Sequence, residues 1–272
     1  MRQSNGYIIL FTVVLTVVCA GVLAGVFEGL KGQINEQEAL DKKKQILSAV
    51  IDINGMKGKE LDAKYTGSIE AISVNSKGEI LPDINAEDVN VMKMFKQKDV
   101  SLKVFPVFIY KNGDQKSYIL PMYGNGLWDA VWAFVALDGD LNTIKGVSFG
   151  HKGETPGLGA RITDKSIRDR FIGKQIFNAD GTFGGVTFQK GEKIDYTDQS
   201  HKVDGLAGAS MTTNGVNNML NAYFQSYEPY FTNTLAASAV QVKEPVKVDV
   251  APVADSLSEV DSTPISDTLI QE

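Results

Sequence analysis

The sequence is poor in the residues that build thiol and metal chemistry. Among 272 residues there is one cysteine, Cys19, and there are two histidines, His151 and His201. A disulfide within the chain, a four-thiolate zinc site and an iron–sulfur cluster of its own are therefore excluded. Neither histidine has a second one nearby at ligand spacing, so a self-contained metal site is not expected. Excess basic charge is lacking as well. The net charge is −6, five of those charges fall in residues 238–272, and the remaining body is nearly neutral. Such a body is not expected to bind nucleic acid.

Charge of either sign is missing from residues 7–27, YIILFTVVLTVVCAGVLAGVF, with Arg2 before the run and Glu28 and Lys31 after it. At ~1.5 Å per residue this run spans roughly 30 Å as a helix, the thickness of a bilayer's hydrocarbon core. It exceeds the apolar stretch of about 7–15 residues found in cleaved signals. Val18 stands before Cys19 where a lipoprotein needs a small residue, so residues 1–30 read as a retained membrane anchor. Lys42, Lys43 and Lys44 lie beyond it; counted naively they place the following part in the cytoplasm, but that rule weakens for long domains and leaves orientation open. Aromatic residues are absent from residues 238–272, which hold three of the eight prolines and seven acidic residues against two lysines. That composition cannot bury enough apolar surface to offset the entropy of ordering, and residues 236–272 are expected to form a disordered acidic tail.

What remains is a body with strand and helix signals. Residues 31–50 are polar and helical, a stalk leaving the membrane. The region 31–119 reads as a small α/β scaffold, with strands at 69–74 (IEAISV) and 103–110 (KVFPVFIY) and a helix over 86–96. From 120 the pattern changes. GLWDAVWAFVAL at 126–137 starts as a turn and becomes an apolar strand or short helix, GDLNT turns the chain, and IKGVSFG returns as a strand. A helix is expected over 163–173 and late strands around GGVTFQK. The fold class is α+β, an antiparallel sheet with packed helices.

Glycine loops invite a phosphate-binding reading. In GETPGLGARI, Leu158 stands where a P-loop needs its second glycine, and Ile162 stands where a dinucleotide loop needs its third. Both patterns fail. The second small-residue stretch, LAGASMTTNGV at 206–216, leads into Val216, Met219, Leu220, Tyr223, Phe224 and Tyr227, one apolar helical face. This places Thr212, Thr213 and Asn214 in the N-cap region. Two readings stay open: a threonine that only caps the helix, stabilising it by ~1 kcal/mol, or small residues Gly208, Ala209 and Ser210 clearing space for a phosphate on the free amides of the helix start.

AGASMT at 207–212, followed by TNGV, closely resembles the Ser/Asp-Gly-Ala-Thr/Ser-x-Thr motif of the FMN-binding domain family. HKGETPGLG at 151–159 is similar to that family's second signature, and GLW at 126–128 with LDGDLNTIKGVSF resembles its sodium-pumping branch. The resemblance covers roughly residues 1–235, with an FMN-binding domain at 120–235. It implies a membrane-anchored electron carrier, facing the periplasm from the inner membrane, in a respiratory complex that couples NADH oxidation by quinone to sodium export. It implies FMN held covalently by a phosphoester on Thr212, with Thr213 the rival acceptor. Ser210 keeps the motif's hydroxyl, whereas Ala207 removes one. Gly208, Ala209 and Asn214 would surround the phosphate, and Glu154, Thr155, Leu158 and Gly159 the ring system. Trp128 would pack beside the ring or serve as an ordinary core aromatic. His151 is expected to be structural and His201 a surface residue. No general acid, base or nucleophile is implied for electron transfer. Implied partners are the other subunits of the complex, a flavin transferase during maturation, and membrane lipid. Two alternatives accompany this reading: the homologous FMN-bearing subunit of a ferredoxin-linked ion-translocating complex, and a cofactor-free anchored binding module.

Overall fold

The computed structural model describes residues 4–241, with side chains to residue 237. Helix α1 runs unbroken over Asn5–Ser48, its start capped by Ser4, whose hydroxyl accepts from the Tyr7 amide at 3.3 Å. Its apolar first half is exposed throughout and is long and apolar enough to cross a membrane. The expected stalk is the same helix carried on until Ile46 and Leu47 become its first buried residues.

The body is built on an antiparallel meander of five strands in sequence order: β1 (Ile69–Asn75), β2 (Val104–Asn112), β3 (Gln115–Asn125), β4 (Ala130–Leu137) and β5 (Ile144–His151). Strand side chains alternate between faces, and here both faces are buried. Val107, Ile109, Leu120, Met122, Val131, Ala133 and Val135 face the larger core, which lies under the C-terminal helix α5 (Ser210–Gln241). Phe108, Tyr110, Ile119, Phe134 and Ala136 face a smaller core made with the end of α1 and with α2 (Gly58–Ser68). The expected boundary between residues 119 and 120 falls inside β3, so one sheet carries both regions.

On the smaller side the stalk is pinned to the sheet. Trp132 Nε1 donates to Gln45 Oε1 at 2.6 Å, and Ser48 Oγ donates to Ser148 Oγ at 2.9 Å. Gly146 is required there because any Cβ would strike the Ala49 carbonyl.

On the larger side, α5 is placed by a break in the strand ladder. The two-residue turn at Gly113 and Asp114 makes Asn112 and Gln115 a pair exchanging both backbone bonds, and 110/117 and 108/119 follow in the same phase. The next such pair would be Pro106 and Pro121, and neither has an N–H to give. The pairing ends at Phe108 and Ile119. Tyr227, fully buried on α5, fills the gap: its hydroxyl donates to the Pro106 carbonyl at 2.7 Å and lies 3.4 Å from that of Pro121.

Several local expectations change. The helix over 86–96 shortens to α3 (Val91–Lys96), because Asn85 holds a turn on the Glu87 amide and Asn90 caps the helix on the Lys93 amide. Over 163–173 only α4 (Lys165–Arg168) is α-helical, flanked by 3-10 turns at Gly159–Thr163 and Asp169–Phe171. The late strands reduce to a two-residue parallel pair, β6 (Thr187–Phe188) with β7 (Lys202–Val203). Asn217 of α5 supplies the bonds a longer partner would give, accepting from the Phe188 amide and donating to its carbonyl. Helix α5 runs on to Gln241, into the segment expected to be a disordered tail from residue 236; the rest of that segment lies outside the described residues.

Tyr227→Phe should leave the buried Pro106 carbonyl without its donor and lower the unfolding free energy by about 1–3 kcal/mol. Chemical denaturation of the detergent-solubilised chain, followed by tryptophan fluorescence, measures it; an unchanged midpoint would remove this hydroxyl as the determinant of α5 placement.

Candidate functional site

The two small-residue loops of the sequence meet at the start of α5. Gly208 adopts φ +75°, a backbone conformation costly for any residue with a Cβ, and turns the chain into the helix. The first helical bond runs from the Thr213 amide to the Ala209 carbonyl at 2.9 Å. The helix therefore begins at Ser210, earlier than expected, and Thr212 and Thr213 lie within its first turn rather than at its cap. The amides of Ser210, Met211 and Thr212 precede that bond, in the position where a helix start leaves donors without an intrahelical acceptor.

The adjacent threonines differ in what their hydroxyls do. Thr213 Oγ1 turns back on its own helix, donating to the carbonyls of Ser210 at 3.1 Å and Ala209 at 3.3 Å. Thr212 Oγ1 points across to the other loop and donates to Glu154 Oε2 at 2.5 Å. Both partners are buried, Thr212 at 1% exposure and Glu154 at 4%. The second oxygen of Glu154 accepts from the Trp128 amide at 3.0 Å. The Glu154 amide donates to His151 Nδ1 at 3.3 Å. Burial pushes the Glu154 carboxyl up. The Thr212 hydroxyl and the amides of Trp128, Asp129 and Leu127 together outweigh it and hold the group below its ordinary value.

Glycines permit this approach. A Cβ on Gly159 would stand 2.5 Å from both Thr212 Oγ1 and Glu154 Oε2, one on Gly126 would collide with Glu154, and one on Gly215 would collide with the Asn125 carbonyl. A Cβ on Gly208 would stand 2.9 Å from Leu158 Cδ2.

Around this buried pair the surface is apolar. Trp128 is 70% exposed, with its indole N–H on Thr155 Oγ1 at 3.2 Å, so it is not a core aromatic. Leu127, Leu158 and Met211 are also exposed. An exposed platform of large apolar groups next to free helix amides suits a flat aromatic system carrying a phosphate. Ser210 and Asn214 lie exposed on the first turn, Ala209 is buried beneath it, and Thr155 is exposed on the loop.

A second carboxylate ties the loops from behind. Glu192 accepts a bidentate pair from the Arg161 guanidinium, at 2.5 and 3.2 Å, and also accepts from the Ala207 amide at 3.1 Å. Arg170 adds its charge at 3.7 Å and pairs with Asp204 at 3.0 Å. The hydroxyl lost at Ala207 is thus not needed to anchor the loop, because its backbone is held by Glu192. Sequence reasoning missed the Glu192–Arg161 pair, since an ion pair spanning 31 positions leaves no local signature, and it noted Gly126 only as part of GLW, not for the room it leaves Glu154. His201, expected at the surface, is half-buried, with Nδ1 2.9 Å from the Gly185 carbonyl and its ring filling the space a Cβ on Gly184 would need.

Comparison with known proteins gives a consistent result. The sequence model of the FMN-binding domain matches residues 126–225. The C-subunit of the Na(+)-translocating NADH-quinone reductase of Vibrio vulnificus is 36% identical over 205 residues, covering 69% of this chain and 78% of that one. Its counterpart from Yersinia pestis is 33% identical over 238 residues, covering 80% and 88%. The crystal structure of the same reductase component from Parabacteroides distasonis superposes with a TM-score of 0.66 at 34% identity, covering 75% of this chain and 97% of the other.

Two outcomes follow from the geometry. Gly159→Ala should force Thr212 and Glu154 apart and destabilise the fold by about 1–3 kcal/mol, the range for a buried polar group left unpaired; an unchanged melting curve would contradict it. Glu192, hydrogen-bonded by Arg161 and by the Ala207 amide, is held down from 4.5 to about 2. A carboxyl depressed in the folded state contributes stability above its unfolded value and loses it as pH falls through the folded one. Wild type should therefore exceed Glu192→Gln in stability above pH 4.5, and the difference should vanish as the pH approaches about 2. Parallel unfolding curves across that window are the check.

Proposed function

Because this chain belongs to the C-subunit family of the Na(+)-translocating NADH-quinone reductase, we propose that it carries FMN covalently, through a phosphoester on Thr212 Oγ1. It is an FMN-domain subunit of a membrane oxidoreductase complex and works there as an electron-transfer subunit. One observation carries the attachment: of two neighbouring hydroxyls at the helix start, Thr213 is consumed by helix carbonyls, while Thr212 is held on a carboxylate between the two glycine loops. The flavin supplies the redox chemistry, and the protein supplies position and electrostatics.

In this reading the amides of Ser210 and Met211, with the Gly208–Ala209 approach and Asn214 beside them, offset the charge of the esterified phosphate. Trp128, Leu158 and Met211 shield the ring, and Thr155 holds the indole. Gly159 keeps the loop close enough for the ring to lie over both. Residues 1–30 anchor the chain in the inner membrane, 31–119 with 120–235 form the body, and that body faces the periplasm. A flavin transferase loads the site there, lipid surrounds the anchor, and the remaining subunits of the sodium-exporting complex exchange electrons with the bound FMN.

Material purified from a host able to attach flavin should give a yellow fluorescent band on a denaturing gel and a tryptic peptide containing Thr212 that carries the mass of the FMN group. Thr212→Val should abolish both, and Thr213→Val should retain both. Flavin surviving in Thr212→Val would refute the assignment.

A further inference from the structure

We propose that Glu154 is the proton acceptor that activates Thr212 for its own modification, taking the Oγ1 proton as that oxygen bonds to phosphorus. The proposal rests on Thr212 being the attachment residue. A threonine hydroxyl is a weak nucleophile at neutral pH and needs a base within hydrogen-bond reach, itself oriented by a third group. All three parts are present. Oγ1 donates to Glu154 Oε2 at 2.5 Å. The Trp128 amide occupies Oε1 at 3.0 Å and turns Oε2 toward Thr212. His151 Nδ1 accepts from the Glu154 amide and fixes the backbone from which the carboxylate projects.

No other titratable side chain hydrogen-bonds Thr212 among the described residues. Both histidines are otherwise engaged, His151 by Glu154 and His201 by the Gly185 carbonyl. Glu154 has no ion pair among those residues, so its charge is not neutralised by a neighbouring cation. The hydrogen bonds that hold its carboxyl below the ordinary value keep it ionised at neutral pH, so Oε2 is open to the Oγ1 proton, which becomes strongly acidic as that oxygen bonds to phosphorus. The same arrangement discriminates between adjacent threonines. Thr213 Oγ1 faces only backbone carbonyls, which accept a hydrogen bond but cannot take its proton.

The step balances if the donor is a flavin nucleotide whose phosphate is joined in an anhydride to a second nucleotide; a free phosphate monoester offers no good leaving group. The Oγ1–phosphorus bond forms and the anhydride phosphorus–oxygen bond breaks. The second nucleotide departs as its monophosphate, and the Oγ1 proton passes to Glu154 Oε2 and then to solvent. No electron changes hands. Afterwards Glu154 has lost its hydroxyl donor and faces an anionic phosphodiester, so its carboxyl should titrate at a higher pH than in the unmodified chain.

The test uses the full chain in detergent micelles, incubated with flavin adenine dinucleotide and a flavin transferase, with attachment followed by intact mass over time. Glu154→Gln keeps the volume and an oxygen acceptor but cannot take a proton; its attachment rate should fall by about 10²–10⁴, the usual worth of a positioned base. Glu154→Asp should recover part of that loss. Wild-type speed in Glu154→Gln overturns the proposal while leaving Thr212 as the acceptor, and equal slowness of Gln and Asp overturns it in favour of packing. Thr212→Val gaining the flavin mass would instead sink the attachment reading itself. If Glu154→Gln does not fold, the decision passes to Glu154→Ala, whose cavity admits a small carboxylate: attachment restored by added formate or acetate supports the proposal, and no restoration by either overturns it.

Discussion

Two prolines that would face each other across β2 and β3 govern where the long C-terminal helix lies. At Pro106 and Pro121 the ladder needs two amide donors and has none, so the strands stop pairing at Phe108 and Ile119. A buried hydroxyl must enter from outside the sheet, and only a residue on an overlying helix can deliver one. Tyr227 does so and fixes α5 along its axis. Thr212 lies fifteen residues upstream, about 22 Å along the helix at ~1.5 Å per residue. There the approach is set by missing side chains: Gly124 lies under Met219, and Gly215 lies on the Asn125 carbonyl. The hydroxyl at the head of α5 is thereby brought to the exit of β3, beside the turn that carries Trp128 into β4.

Two carboxylates then finish the site in opposite ways. Glu192 is neutralised by Arg161 and Arg170 and serves as a tether, holding the Ala207 amide and the segment after Gly159 together. Glu154 is buried and has only neutral donors, one of which is the hydroxyl it faces. The tether's charge is satisfied whether or not the site is loaded. The charge on Glu154 depends on Thr212 remaining a donor, and that dependence couples the carboxylate to the state of the threonine.

Much of this was legible in the sequence wherever one short pattern implied one element. The uncharged run gave the first half of α1, the short apolar runs bounded by turns gave β1, β2 and β5, and the spacing from Val216 to Tyr227 gave the buried face of α5. The two glycine loops stood out as a candidate site through the resemblance of their motifs to the FMN-binding domain family; on pattern alone the phosphate-loop signatures failed and simple capping stayed open. What escaped detection depended on distant partners. β3 contains Pro121 and Gly124, residues that read as breaks, and becomes a strand because β2 and β4 lie on either side of it. Over 163–173 the polar pattern favoured a helix. Yet Ile162 and Phe171 are both buried, and at ~100° per residue a continuous α-helix would set them about 180° apart. Splitting the segment with 3-10 turns lets both face one core. The Thr212–Glu154 bond spans 58 positions and joins two motifs that were each visible alone.

Sheet parity also separates two tasks. Residues of one phase along β2, β3 and β4 take the end of α1, and residues of the other phase take α5. The anchor helix is locked to its face by Gln45 on Trp132 and Ser48 on Ser148. It runs without a break from its apolar half into that contact. The start of α5 is therefore related to the apolar helix through a sheet packed on both faces, not through a flexible tether. A loose linker would let the body move freely against the anchor; a helix keyed into a sheet does not. Burial of both sheet faces makes such keying possible, and residues such as Phe108 and Ile119, packed in the smaller core, are what fix the sheet and α5 relative to the end of α1.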